Sequence, residues 1–162
     1  MKELSAELES VGLSSVKTYI QSGNIVFRES KKTKSALAAQ IKKTIKNKFG
    51  FEVSVIVVSQ KELAGAIKNS PFAKIPSEEA NKVLHLFFMD EVPSNIRRDR
   101  LESLQQVGEE WKLKGSVFYL YTPNGFGKSK LATQVEKILG VPATARNWRT
   151  VCTLLELASA DQ

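Results

Sequence analysis

The chain has 162 residues, with 24 Lys and Arg against 17 Asp and Glu and a formal net charge of +7. At 42% hydrophobic and 25% charged residues it is composed like a folded globular protein, which excludes a disordered chain or a collagen-like repeat. One cysteine cannot close an internal disulfide, one His with one Cys cannot supply the usual zinc ligands, and no apolar run reaches the ~18–20 residues of a membrane helix.

Leu4, Leu8 and Val11 form a helical stripe that Gly12 is placed to terminate. Val16–Ile20 and Ile25–Arg28 flank Gln21-Ser-Gly-Asn24 and predict a β-hairpin, with Gln21 opposite Asn24 and Tyr19 opposite Val26. Leu37, Ile41 and Ile45 recur every four residues, predicting a helix that ends near Gly50 with Lys42, Lys43 and Lys46 on its solvated side. Val53–Val58 is β-branched enough for a strand, and Ser59 with Glu62 has the spacing of a capping box opening a short helix through Ile67. Residues 69–81 carry two prolines and little periodicity, and are expected to link two modules.

Val83–Met89 is apolar on both faces, as a central strand requires. A helix is expected from about Pro93 to Val107, then two short strands, 109–114 and 116–121, meeting at Gly115. A loop over 122–129 precedes a helix containing Leu131, Val135, Ile138 and Leu139, stopped by Gly140 and Pro142. Asn147 is placed to cap a final helix with Trp148, Val151, Cys152 and Leu155 inward. The first half thus reads αββαβ and the second βαββα with a terminal helix. The expected fold is α+β: two tandem ferredoxin-like modules with antiparallel sheets, over 1–75 and 76–162, plus a C-terminal helix. The first module lacks the strand that should precede its first helix, so an N-terminal piece is expected to be missing.

The charge is uneven. Residues 1–75 hold 13 basic and 6 acidic residues, whereas 76–162 hold 11 of each; seven lysines and no acid fall within 31–50. Such a face attracts phosphate backbones or acidic partners, or simply keeps a helix solvated; lysines alone do not specify a ligand's shape.

Three groups of residues carry candidate chemistry. Tyr121–Ser129 ends in Gly-Lys-Ser between a strand and a helix, but Thr122 stands where a phosphate loop has its first glycine and the incoming strand belongs to a hairpin. Nucleotide hydrolysis is therefore not expected; Gly125, Gly127, Lys128, Ser129 and Lys130 could still hold an anion at a helix start, or form an ordinary turn. Arg146, Asn147, Trp148 and Arg149 offer two guanidinium groups, an amide and an indole near a second helix start. Gln21 and Asn24 lock the hairpin turn or, if exposed beside Tyr19, offer hydrogen bonds to a ligand. Lys114–Tyr121 partly matches an RNA-binding octamer through Lys114, Gly115, Phe118 and Tyr121. His85, among Val83, Phe87 and Met89, reads as a core histidine; as the chain's one His it leaves little room for a Ser-His-Asp triad. Cys152 reads as an inert core thiol, and no carboxylate pair stands out as an acid–base couple.

Thr18-Tyr-Ile-Gln-Ser-Gly-Asn-Ile-Val-Phe27, Asn124-Gly-Phe-Gly-Lys-Ser-Lys-Leu131 and Thr144-Ala-Arg-Asn-Trp-Arg-Thr150 together resemble the bacterial family catalogued as domain of unknown function 1697. The resemblance spans essentially the whole chain. It implies two ferredoxin-like halves and no established activity, and it marks Tyr19, Gln21, Ser22, Gly23, Asn24, Gly125, Lys128, Ser129, Arg146, Asn147 and Trp148. Members of that family usually begin with a strand and a glycine-rich turn that this sequence does not carry.

The expectation is a cytoplasmic module that binds an anionic or phosphorylated ligand through two helix N-termini, near 128 and 147. Glu3, Glu7 and Glu9 predict no secretory leader. No metal and no cofactor are expected, nor a membrane partner. The alternatives are an enzyme acting on a phosphorylated small molecule, with Tyr19 or Asn24 near the reacting centre, and a nucleic-acid-binding protein using the lysine-rich helix.

Overall fold

The computed structural model describes residues 1–21 and 23–160, a mixed α+β structure with two antiparallel sheets. Its contacts group into two units: Met1–Gln60 with the C-terminal residues from Thr153, and Lys61–Cys152. The boundary thus lies at 60/61, upstream of the expected 75/76.

In the first unit, α1 (Lys2–Ser10) buries Leu8 and ends as Gly12 takes φ +100°. Strands β1 (Ser14–Tyr19) and β2 (Asn24–Arg28) pair antiparallel, with Tyr19 opposite Asn24 and Lys17 opposite Val26. This register differs from the expected one, which put Tyr19 opposite Val26. Asn24 sets it: the side chain is buried and its Nδ2 donates to the Tyr19 carbonyl at 3.1 Å, closing the ladder there. Ser22, expected in the turn, lies outside the described residues.

Helix α2 (Lys34–Phe49) is the lysine helix. Thr33 caps it by accepting the Ala36 N–H, and Gly50 closes it at φ +76°. Leu37 and Ile41 join Leu8 and Leu13 in a core that Ile45, Val16, Ile25 and Phe27 complete, leaving Lys42, Lys43 and Lys46 exposed. Residues 53–58 form no strand; Val55 and Val57 instead pack on this core. A β-branched run buries apolar surface well, but a strand exists only where a ladder partner is present.

In the second unit, α3 (Gln60–Lys68, whose first residue groups with the first unit) starts just after Ser59, as the capping-box spacing predicts. The expected linker is packed structure: Phe72 is buried and stacks on Tyr121 with ring centroids 6.0 Å apart, and α4 (Ser77–Val83) buries Ala80. Two prolines read as punctuation, yet Pro76 sits at the N-cap of α4.

The sheet is built on β3 (Leu84–Met89), followed by α5 (Arg98–Leu104), β4 (Glu110–Lys114), β5 (Val117–Tyr121), α6 (Val135–Leu139) and β6 (Ala143–Asn147). Its order is β4-β5-β3-β6, with every neighbouring pair antiparallel. Three elements differ from expectation: α6 starts only at Val135, which leaves Leu131 in the turn before it. α5 is shorter than 93–107, because Gln105 is extended and the Glu109 carboxylate accepts the Gln106 N–H at 2.9 Å, a local bond that displaces the next helical turn. Residues 143–147, read as the approach to a helix, are the edge strand β6.

Residues opposite one another in an antiparallel ladder share a face. Phe87, Met89, Phe118 and Leu120 lie on one face, under Leu101 of α5 and Val135 and Leu139 of α6. Leu84, Leu86, Phe88 and Tyr119 lie on the other. There the Tyr119 hydroxyl donates to the Ala66 carbonyl of α3 at 2.6 Å, and burial pushes its pKa up to about 12. The bond is a buried one in which the hydroxyl stays protonated through the accessible pH range. Tyr119→Phe is expected to lower stability by about 1–2 kcal/mol, because the Ala66 carbonyl loses its donor in a dry site; the urea midpoint measures this, with an unchanged slope.

Candidate functional site

β3 is buried along its length except at His85. Across the two ladders His85 faces Leu120 of β5 and Asn147 of β6. Its ring stacks on Phe126, with centroids 3.9 Å apart and planes 20° from parallel. Phe126, between Gly125 at φ +104° and Gly127, opens a 3₁₀ turn (Phe126–Lys128). A positive φ of that size is costly for a residue with a Cβ, so Gly125 is what aims the Phe126 ring at the sheet. His85 is thus where Phe126 of the glycine-rich loop and Asn147 of β6 meet.

The imidazole is unusual for a polar group so placed. Among the described residues, its buried Nδ1 has no hydrogen-bond partner. Burial lowers its pKa to about 4, so the ring is neutral at pH 7. An unpaired buried nitrogen costs stability, so the position calls for an explanation.

The loop around it is internally bonded. Thr122 anchors its start through N–H and Oγ1 donations to the Val83 carbonyl at 2.8 and 3.1 Å. The N–H groups of Gly125, Lys128 and Ser129 donate to the carbonyls of Thr122, Gly125 and Phe126. Ser129 is 1% exposed and its Oγ accepts the Ala132 N–H, so it holds the turn together. No α-helix starts at 128: a turn follows, and α6 begins only at Val135. β5, the incoming strand, is the second arm of the β4–β5 hairpin. A phosphate loop needs an α-helix start and free N–H groups to wrap the anion; here no α-helix starts at the loop, and the N–H groups of Gly125, Lys128 and Ser129 are already committed. Lys128 and Lys130 remain exposed.

Asn147 ends β6 and starts α7 (Trp148–Ser159), its Oδ1 accepting the Thr150 N–H at 2.9 Å. The helix cap read from the sequence is present, and the cap residue also lies beside His85. Strand alternation separates the rest of that cluster. Arg146 faces Leu86 on the opposite side of the sheet from His85. Its guanidinium donates to Thr144 Oγ1 at 2.6 Å and to the Ala145 carbonyl at 2.8 Å, and burial lowers its pKa. Trp148 is half-buried and Arg149 exposed in the first turn of α7.

Tyr19, Gln21 and Asn24 belong to the first unit. There Asn24 is 4% exposed and serves the hairpin, while Gln21 is exposed. The partial RNA-binding octamer is structural: Phe118 is buried under α5 and α6, and Tyr119 is bonded to α3, so neither ring is presented to a base. Phe126 is the residue that sequence reasoning passed over; an aromatic ring between two glycines before a Lys was the available signal.

A family model described as protein of unknown function (DUF1697) matches residues 1–119. Among solved structures, the chain is similar to the conserved bacterial protein SP0830 from Streptococcus pneumoniae. The two are 22% identical with a TM-score of 0.61, over 98% of this chain and 88% of that one, which is a likeness of fold. None of the curated proteins matches the chain.

Because His85 has an ordinary pKa near 6.5 when unfolded and about 4 when folded, the unfolded chain binds the extra proton between those values. Its stabilising share is therefore complete above about pH 6.5, is lost as pH falls towards 4, and changes no further below that. His85→Phe, which keeps the ring stack and removes the titration, is expected to flatten this part of the stability profile. Urea midpoints for both proteins across the window test it, and identical slopes would refute it.

Proposed function

The chain belongs to the DUF1697 family of proteins of unknown function, and from that premise we propose that its second unit binds a small anionic, phosphorylated ligand beside the His85–Phe126 stack. The observation that carries this reading is the meeting of two segments at one histidine: Phe126 stacks on it and Asn147 lies across the ladder from it. Those segments bring exposed Lys128, Lys130 and Arg149 as the cationic contacts. The partial positive charge at the start of the 12-residue α7 adds to them. Gly125 and Gly127 shape the turn, Ser129 and Asn147 hold it and the cap in place, and Trp148 supplies half-exposed apolar surface. Arg146 positions β6 from the far face, and the hairpin residues Tyr19, Gln21 and Asn24 are not needed for this site.

We further propose that the second unit is a ferredoxin-like βαββαβ module in a cytoplasmic protein, and the first unit a related half. Support for the module comes from β3-α5-β4-β5-α6-β6 with order β4-β5-β3-β6 and both helices on one face. No helix among the described residues is long and apolar enough to cross a membrane. The nucleic-acid reading is weaker, because Lys46 and Lys48 of the lysine helix pair with Glu52 and Glu7.

The test is a thermal-shift series on the full chain with inorganic phosphate, AMP, glucose 6-phosphate and a short oligonucleotide as probes. At least one phosphorylated small molecule is expected to raise Tm in proportion to the logarithm of its concentration above Kd. Lys128→Ala combined with Arg149→Ala should abolish that shift while leaving the ligand-free Tm within about 1 °C, since both side chains are exposed. A panel without any shift, or a shift that survives the double substitution, overturns the reading.

A further inference from the structure

β4 ends the four-stranded sheet, so one of its edges has no ladder partner among the described residues. An edge strand of this kind is a template for another strand unless its side chains forbid the pairing. Its sequence is Glu110-Trp-Lys-Leu-Lys114, with Glu110, Lys112 and Lys114 exposed on one face and Trp111 and Leu113 half-buried on the other. Neither Glu110 nor Lys112 carries an ion pair among the described residues. Trp111 stacks on Phe118 with centroids 5.6 Å apart and lies under the Arg98 guanidinium, 5.7 Å from its ring centre. It borders an open groove of about 530 Å³ along α5 that Arg98, Glu102 and Gln105 also line.

We propose that β4 is a self-association edge, and that its occupant is the β4 strand of a second copy of this chain. The argument is charge and register. In an antiparallel pair centred on Trp111, Glu110 of each copy faces Lys112 of the other, so the two-fold axis is flanked by two opposite-charge cross-strand pairs. On the other face the two Trp111 rings come together beside their grooves, extending the apolar side of the sheet across the joint. Moving the centre one residue to Lys112 sets the two Lys112 ammonium groups against each other while Glu110 faces Lys114, so the Trp111-centred register is the one with opposite-charge pairs and no like-charge contact; an odd-numbered slip would turn Trp111 to the polar face. The lysines that discourage indiscriminate edge pairing therefore select one partner in one register. A five-residue edge buries little area, which makes this a weak, concentration-dependent dimer. The inference is independent of the ligand site, which lies at β3 and β6.

Sedimentation analysis of the full chain over a concentration series up to about 1 mM, the weak end of specific association, provides the test. The native chain is expected to dimerise. Glu110→Lys and Lys112→Glu each place like charges at both cross-strand contacts, and each alone is expected to weaken the dimer by about tenfold or more. Mixed in equal amounts, the two variants restore opposite charges at both contacts and are expected to form a heterodimer at least as tight as the native one. Both positions are exposed, so circular dichroism of each variant should match the native chain. A native chain that stays monomeric, a dimer indifferent to either charge reversal, or single variants that fail to associate when mixed would each overturn the proposal.

Discussion

The second unit depends on one strand being paired on both edges and covered on both faces. β3 has β5 on one side and β6 on the other, with α5 and α6 over one face and the Tyr119–Ala66 bond holding α3 against the other. A strand in that position cannot carry an exposed polar run, which is why Leu84–Met89 is apolar at every position but His85. It also means that the one polar residue in the strand is costly and has to sit at an end. His85 does: it is next to the first residue of β3, where the sheet gives way to loops.

That constraint explains the site. A histidine turned to the core face beside the loop ends needs a cover, and the Phe126 turn supplies an aromatic one instead of a hydrogen-bonding one. The ring is thereby kept neutral and its Nδ1 left without a hydrogen-bond partner among the described residues, between Phe126 and Asn147. The loop's own hydrogen bonds, from the N–H groups of Gly125, Lys128 and Ser129, are spent on its shape.

Local pattern was a good guide to some elements and a poor one to others, for identifiable reasons. The helix with Leu37, Ile41 and Ile45, the strand at Leu84–Met89, the turn at Gly115 and the Asn147 cap all follow from periodicity or from one residue's backbone preference. Val53–Val58 and Ala143–Asn147 failed in opposite senses: the first has β composition and no partner, the second has polar residues and a partner in β3. Pairing is a property of two segments, and one segment's composition does not contain it. The hairpin register failed similarly, because a buried Asn24 side chain decided it over the turn residues.

The sequence by itself determined the fold class, the lysine-rich helix with its solvated face, the central strand, and the segments around Lys128 and Asn147 as places of interest. Their spacing in the chain is local information, carried by 3.6-residue and 2-residue periods and by caps. Only the tertiary structure decided that Phe126 lies on His85, that Asn147 faces the same histidine, and that Arg146, one residue earlier, leaves the sheet on the other side. Those relations arise where strands distant in sequence come into register, and a one-residue shift in any ladder would have exchanged the faces.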